Sequence, residues 1–130
     1  MKCPFWPLQV ALKARIQGET NYSLHDDHPE QKKYPYIILG HIGGGDWSDK
    51  SKSGQNVTAT IDFWSQYQGK KEVAQMMDEV IRAIDYPWIP NLSPDFNVVH
   101  HWLDFNEIIS DLDPRTYHGI LKWIYLIEEI

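Results

Sequence analysis

The sequence predicts an α+β fold: a mostly antiparallel sheet of about four strands, two helices packed on one face of it, and a long protruding hairpin. Three observations carry that prediction. Residues 57–63 alternate, with Val57, Ala59, Ile61 and Phe63 set against Thr58, Thr60 and Asp62, the period of a strand with one buried face. Val73, Met76, Met77, Val80, Ile81 and Ile84 fall at i, i+3, i+4, i+7, i+8 and i+11, a continuous apolar stripe along a helix. The order helix, two strands, helix, two strands then buries that stripe by laying the helices on one side of the sheet. A chain of 130 residues is long enough for one core and too short for two, so residues 1–130 are expected to form a single domain.

Taken in order, Leu8, Ala11, Leu12 and Ile16 mark an amphipathic helix over Leu8–Gln17, with Arg15 on or beside the apolar face, Pro7 favouring its start and Gly18 its end. A polar loop follows, in which Pro29 and Pro35 bias the residues before them away from helix. "PYIILGHI" does not alternate cleanly and is expected to be a strand buried on both faces. "GGGDWSDKSKSGQN" reads as a flexible connection leading into the alternating strand, so the two strands form a hairpin with a mobile tip. The striped helix occupies "GKKEVAQMMDEVIRAID", and the prolines of "YPWIPNLSPD" end it. "FNVVHHWLDF" is expected as a third strand, "NEIISDLDPR" as a loop, and "TYHGILKWIYLIEE" as a long closing strand.

Twelve basic against eighteen acidic residues leave a net charge of −6. That argues against tight nucleic-acid binding, which needs a basic footprint to displace counterions from phosphates. Cys3 is the one cysteine, so an internal disulfide and a thiolate zinc site are both excluded. The apolar run at the start is far short of a secretory core and none elsewhere could span a bilayer, so the cytoplasm is the expected compartment.

The stretch "YSLHDDHP" invites a metal site from His25, Asp26, Asp27 and His28, completed by His100 or His101. The pair lies in a polar loop between prolines, where nothing orients the rings, and matches no HExxH-type spacing. A solvated loop is the expected reading. Adjacent strand residues point to opposite faces, so His100 and His101 cannot share one ion; one should be exposed and one packed near Trp102. His41 and His118 read as structural strand residues beside glycines. The glycines at 40 and 43–45 precede no helix and no GxxxxGK[ST] pattern follows, so a phosphate loop fails. No nucleophile elbow is present, and the pairs Asp26/Asp27 and Glu128/Glu129 lack an apolar pocket to tune one as an acid. Neither catalytic nor cofactor-binding residues are expected.

Several stretches taken together resemble one family. Pro35-Tyr36 opens a strand ending at Gly40; a polar hairpin tip carries Asp46-Trp47-Ser48 and Lys50; an alternating strand ends in Asp62-Phe63-Trp64-Ser65. A Gly69-Lys70-Lys71-Glu72 helix start follows, and His118-Gly119 begins the last strand, with a short helix before them all. This pattern resembles the tail-completion proteins of long-tailed bacteriophages and prophages, a family also labelled a domain of unknown function in bacterial genomes. The stretch "NLSPDFNVVHHWLDF" departs from it.

The resemblance implies a non-enzymatic virion protein of small α+β fold, at the head-tail interface in the particle and in the host cytoplasm during assembly. It implies a ring, a hexamer, that ends the tail tube and contacts the tail tube protein and the head-tail connector protein. DNA would pass through without being specifically bound, and the free subunit could be a monomer. A head-completion or connector protein on the portal side is the neighbouring alternative, and a small His/Asp metal-dependent enzyme the distant one. From residue type and expected exposure, Asp46, Trp47, Lys50 and Lys52 on the hairpin tip, with Trp88 in the Pro-rich loop, are the candidate interface residues. Trp47 either anchors a partner or folds back on its own hairpin.

Overall fold

The computed structural model describes residues 2–31 and 33–130. It contains helix α1 (Phe5–Glu19), strands β1 (Ser23–His25), β2 (Tyr36–Asp46) and β3 (Gly54–Ser65), helix α2 (Lys71–Ile84), and strands β4 (Phe96–Ser110) and β5 (Tyr117–Glu129). The five strands form one sheet in the order β1-β2-β3-β5-β4. All neighbours are antiparallel except β1, which runs parallel to β2.

The α+β architecture with helices on one face is as the sequence predicts, with five strands in place of four. The added strand is β1, only three residues long, inside the expected polar loop. Its pairing Ser23↔Tyr36 to His25↔Ile38 depends on a partner that no local pattern announces. β2 and β4 also outrun their sequence signals. Gly43, Gly44 and Gly45 pair with Thr58, Val57 and Asn56, and the Gly45 N–H donates to the Asn56 side-chain oxygen at 2.9 Å. Glycines carry no hydrophobic pattern, but their backbone groups still fill a ladder. The segment expected as a loop after Phe105 continues as strand, with Asn106 to Ser110 opposite Leu121 to Tyr117.

α1 begins three residues earlier than its periodicity suggests. Pro4 and Pro7 fall at and just inside the start, where backbone N–H groups have no intrahelical partner to lose. At the other end the Thr20 hydroxyl donates to the Ile16 carbonyl at 2.9 Å. Leu8, Leu12 and Ile16 are buried on the β2 side of the sheet. α2 starts after Gly69, whose φ of +82° is the left-handed turn that glycine tolerates. It buries Val73, Met76, Met77, Val80, Ala83 and Ile84 over β3 and β5. The core is closed from the sheet side by Ile37, Ile61, Phe63, Leu121, Trp123 and Tyr125, among others. No helix of the described residues is long and apolar enough to cross a membrane.

Candidate assembly surfaces

The hairpin tip between β2 and β3 is held by its own polar groups. The Trp47 N–H donates to the Gly54 carbonyl at 2.8 Å, and the Trp47 ring lies against Gly54, where a Cβ would come within 3.0 Å of it. The Asp49 carboxylate accepts from the backbone N–H groups of Ser51 and Lys52, both at 2.8 Å, and from the Ser51 hydroxyl at 2.9 Å. Those bonds favour its ionised form and hold its pKa below the usual carboxylate range. Lys52 reaches across to Glu128 at 3.2 Å. Asp46, Trp47, Lys50 and Lys52 are all exposed on this tip. Trp47 both touches its own hairpin and leaves 42% of its surface to solvent.

Trp88 lies in the loop after α2 instead. It is half-buried, with the Arg15 guanidinium 5.4 Å from its ring centre, while Arg15 Nε donates to the Ala83 carbonyl at 2.7 Å. The Trp88 carbonyl is bonded by the Nε2 of His101 at 2.9 Å. His101 is 1% exposed and packs against Tyr86, Trp123 and Tyr125. Its Nδ1 accepts from the Trp123 indole N–H at 2.9 Å. The loop is thus pinned to β4 and β5 through one imidazole.

Three of the remaining histidines gather around the stacked rings of Tyr36 and Trp64, and His100 lies apart from them. His25 ends β1 edge-on to Tyr36, 6.2 Å between ring centres. His28, still exposed, reaches back over the sheet to Trp64, 5.6 Å away, so the loop expected to be solvated rests partly on the sheet. His118 stacks on Trp64 at 3.9 Å and bonds Asp62 at 2.7 Å. His100, exposed, is the one beside Trp102, 5.2 Å away; the buried His101 packs elsewhere. No three of His, Cys, Asp and Glu gather around a point that could hold a metal ion among the described residues.

Three surfaces escape a reading of the sequence. The first is the outer edge of β4, whose one sheet neighbour is β5 and whose Val99, Trp102, Leu103, Phe105 and Ile109 are exposed. The second is a groove of about 420 Å³ between α2 and β4, walled by Ala74, Met77 and Ile81 and floored by Asn106 and Ile108. The third is the outer face of α1, where Trp6 is 67% and Val10 49% exposed. A signal for the third was present: Phe5, Trp6, Leu8, Val10, Ala11, Leu12, Ala14 and Ile16 put apolar residues all around the helix, more than one packed face requires.

Comparison with known proteins adds the following. A family model described as "Tail completion protein gp17" matches residues 8–128. The tail completion protein gp17 of Bacillus phage SPP1 is 29% identical over 89 residues, 68% of this chain. The matched part spans 64% of that relative's length, less than two thirds. Among solved structures, a chain from the virion of a native gene transfer agent particle superposes with a TM-score of 0.81 at 18% identity, covering 93% of this chain and 94% of the other. At that identity the match speaks for the fold alone.

Proposed function

The chain belongs to the tail completion protein gp17 family, a phage tail structural family, and from that premise we propose that it ends the tail tube and joins the tail to the head connector by closing into a ring. The observation that carries the reading is the family match over residues 8–128. The fold supports it physically. A closed ring of identical subunits needs two different surfaces that meet head to tail, and this sheet stops on both sides at edges of unlike sequence. On one side lies β4 with its aromatic and aliphatic side chains. On the other, β1 covers only Tyr36 to Ile38 of β2 and leaves the Gly40–Asp46 segment uncovered. Open edges of this kind are ready sites of pairing with another chain.

In this reading a soluble subunit, monomeric when free, docks on the last ring of tail tube protein, closes with its neighbours into a hexamer and presents a new surface to the head connector. The hairpin tip, with Asp46, Trp47, Lys50 and Lys52, is the segment that reaches toward one of these partners, with Trp47 as anchor and Trp88 as a lesser contact. An acidic ring lets DNA pass without holding it. The role requires no catalysis.

The test is electron microscopy of particles assembled with and without the gene. Tails of irregular length lying apart from full heads, corrected by adding the protein, are expected. Normal tails beside leaking heads would move the protein to the portal side, and unchanged particles would end the reading.

A further inference from the structure

Within the ring just proposed, and resting on that reading, the geometry points to a specific contact: Trp6 and Val10 on the outer face of α1 of one subunit insert into the α2/β4 groove of the next. The two features lie on opposite flanks of the same helical layer. Arg15 faces α2, as its bond to the Ala83 carbonyl shows. Nine residues, two and a half helical turns, separate Arg15 from Trp6, so Trp6 points away from α2, and Lys13 shares that side. The groove lies on the far side of α2 from α1, where no helix covers the second half of β4. Subunits set side by side therefore bring the α1 flank of one to the groove of its neighbour, which is the heterologous arrangement a ring needs.

Apolar lining and charge both favour a second copy as the occupant. The groove is apolar along Ala74, Met77, Ile81 and Ile108, and tryptophan is among the residues enriched at interface hot spots. The charged residue on the Trp6 side of α1 is Lys13, and the charged residues lining the groove are Asp78 and Glu107 with Lys70, one acid in excess. Glu107 stands on the groove's rim. Lys13, one turn beyond Val10 on α1, meets it when the stripe enters.

The contact is tested in assembled tails with Cys3→Ser as background. Val10→Cys together with Ala74→Cys, under mild oxidation, should give a ladder of covalent oligomers up to a closed ring, and either cysteine alone should give none. Trp6→Ala should lower incorporation into tails by roughly tenfold or more, with an unchanged melting transition because the ring is exposed. Lys13→Glu should impair incorporation, and adding Glu107→Lys should restore it. Normal particles that contain the double-cysteine protein, with no ladder and no effect of Trp6→Ala, would overturn the contact and leave the ring reading standing. Cross-linking of Ala74→Cys to a different tail protein would assign the groove to that partner and also overturn it. Absence of the wild-type protein from tails would instead defeat the ring reading itself.

Discussion

The imidazole of His101 joins the indole of Trp123 to the backbone of the loop after α2: its Nδ1 accepts the indole N–H at 2.9 Å while its Nε2–H donates to the Trp88 carbonyl at 2.9 Å. Both bonds together require the neutral ring with the proton on Nε2. Replacing His101 by Ala strands a buried indole donor and the loop carbonyl and opens a cavity among Tyr86, Trp123 and Tyr125. Each stranded group costs about 1–3 kcal/mol, so His101→Ala is expected to lower the unfolding free energy by about 2–4 kcal/mol, read from urea denaturation.

The same residue sets a pH dependence. Removal from water holds the His101 pKa below its ordinary value, and the bond to Trp88 offsets this only in part. The unfolded chain takes up a proton near pH 6.5, the folded chain only at lower pH. Between those values the unfolded state binds more protons, so stability falls as pH falls below about 6.5. Urea midpoints at pH 7.5 and 5.5 should show a drop that is smaller in His101→Gln.

α2 offers a graded test of its orientation. Met76 is fully buried and Ile81 half-buried at the groove. Met76→Asp leaves a charge with no partner in the core and should abolish the melting transition, since such burial costs several kcal/mol. Ile81→Asp can turn its carboxylate to water and should melt lower but still cooperatively.

Tyr125 gives a prediction of opposite sign. Its hydroxyl is buried without a hydrogen-bond partner among the described residues, and burial pushes its pKa up. Deleting the oxygen removes a desolvated polar group and leaves the ring packed. Tyr125→Phe is expected to be neutral or to stabilise by up to about 1–2 kcal/mol; a clear loss in calorimetry would reveal a partner for the hydroxyl.

What could be read in the sequence was what repeats locally. The stripe from Val73 to Ile84 and the alternation from Val57 to Phe63 each announce their own buried face, and both faces are where they should be. β1 could not be read because Ser23, Leu24 and His25 become a strand only through Tyr36–Ile38. Nor could the role of His101, whose two partners come from Trp88 and Trp123, on a loop and on another strand. The five tip and loop residues chosen by type are placed by the fold in two settings: four exposed on the hairpin, and Trp88 half-buried under Arg15. Trp6 and Val10 do not stand out in the sequence because Leu8, Leu12 and Ile16 already supply the periodicity of one buried helix face.

The position of β5 has a consequence for how the chain comes off the ribosome. It is the latest of the seven elements in chain order, yet it sits between β3 and β4, pairing Ser65 to Gly54 on one side and Ser110 to Phe96 on the other. A nascent chain that has emerged only as far as Arg115 holds the hairpin of β2 and β3, both helices and β4, but not the strand that joins β4 to β3. The stripe of α2 then lacks Gly119, Leu121 and Trp123 beneath it, and the pairing of β3 waits for residues more than fifty positions away. Such long-range closure is slow. A prematurely ended product would leave its apolar faces open to proteases and chaperones rather than compete for a place in a particle.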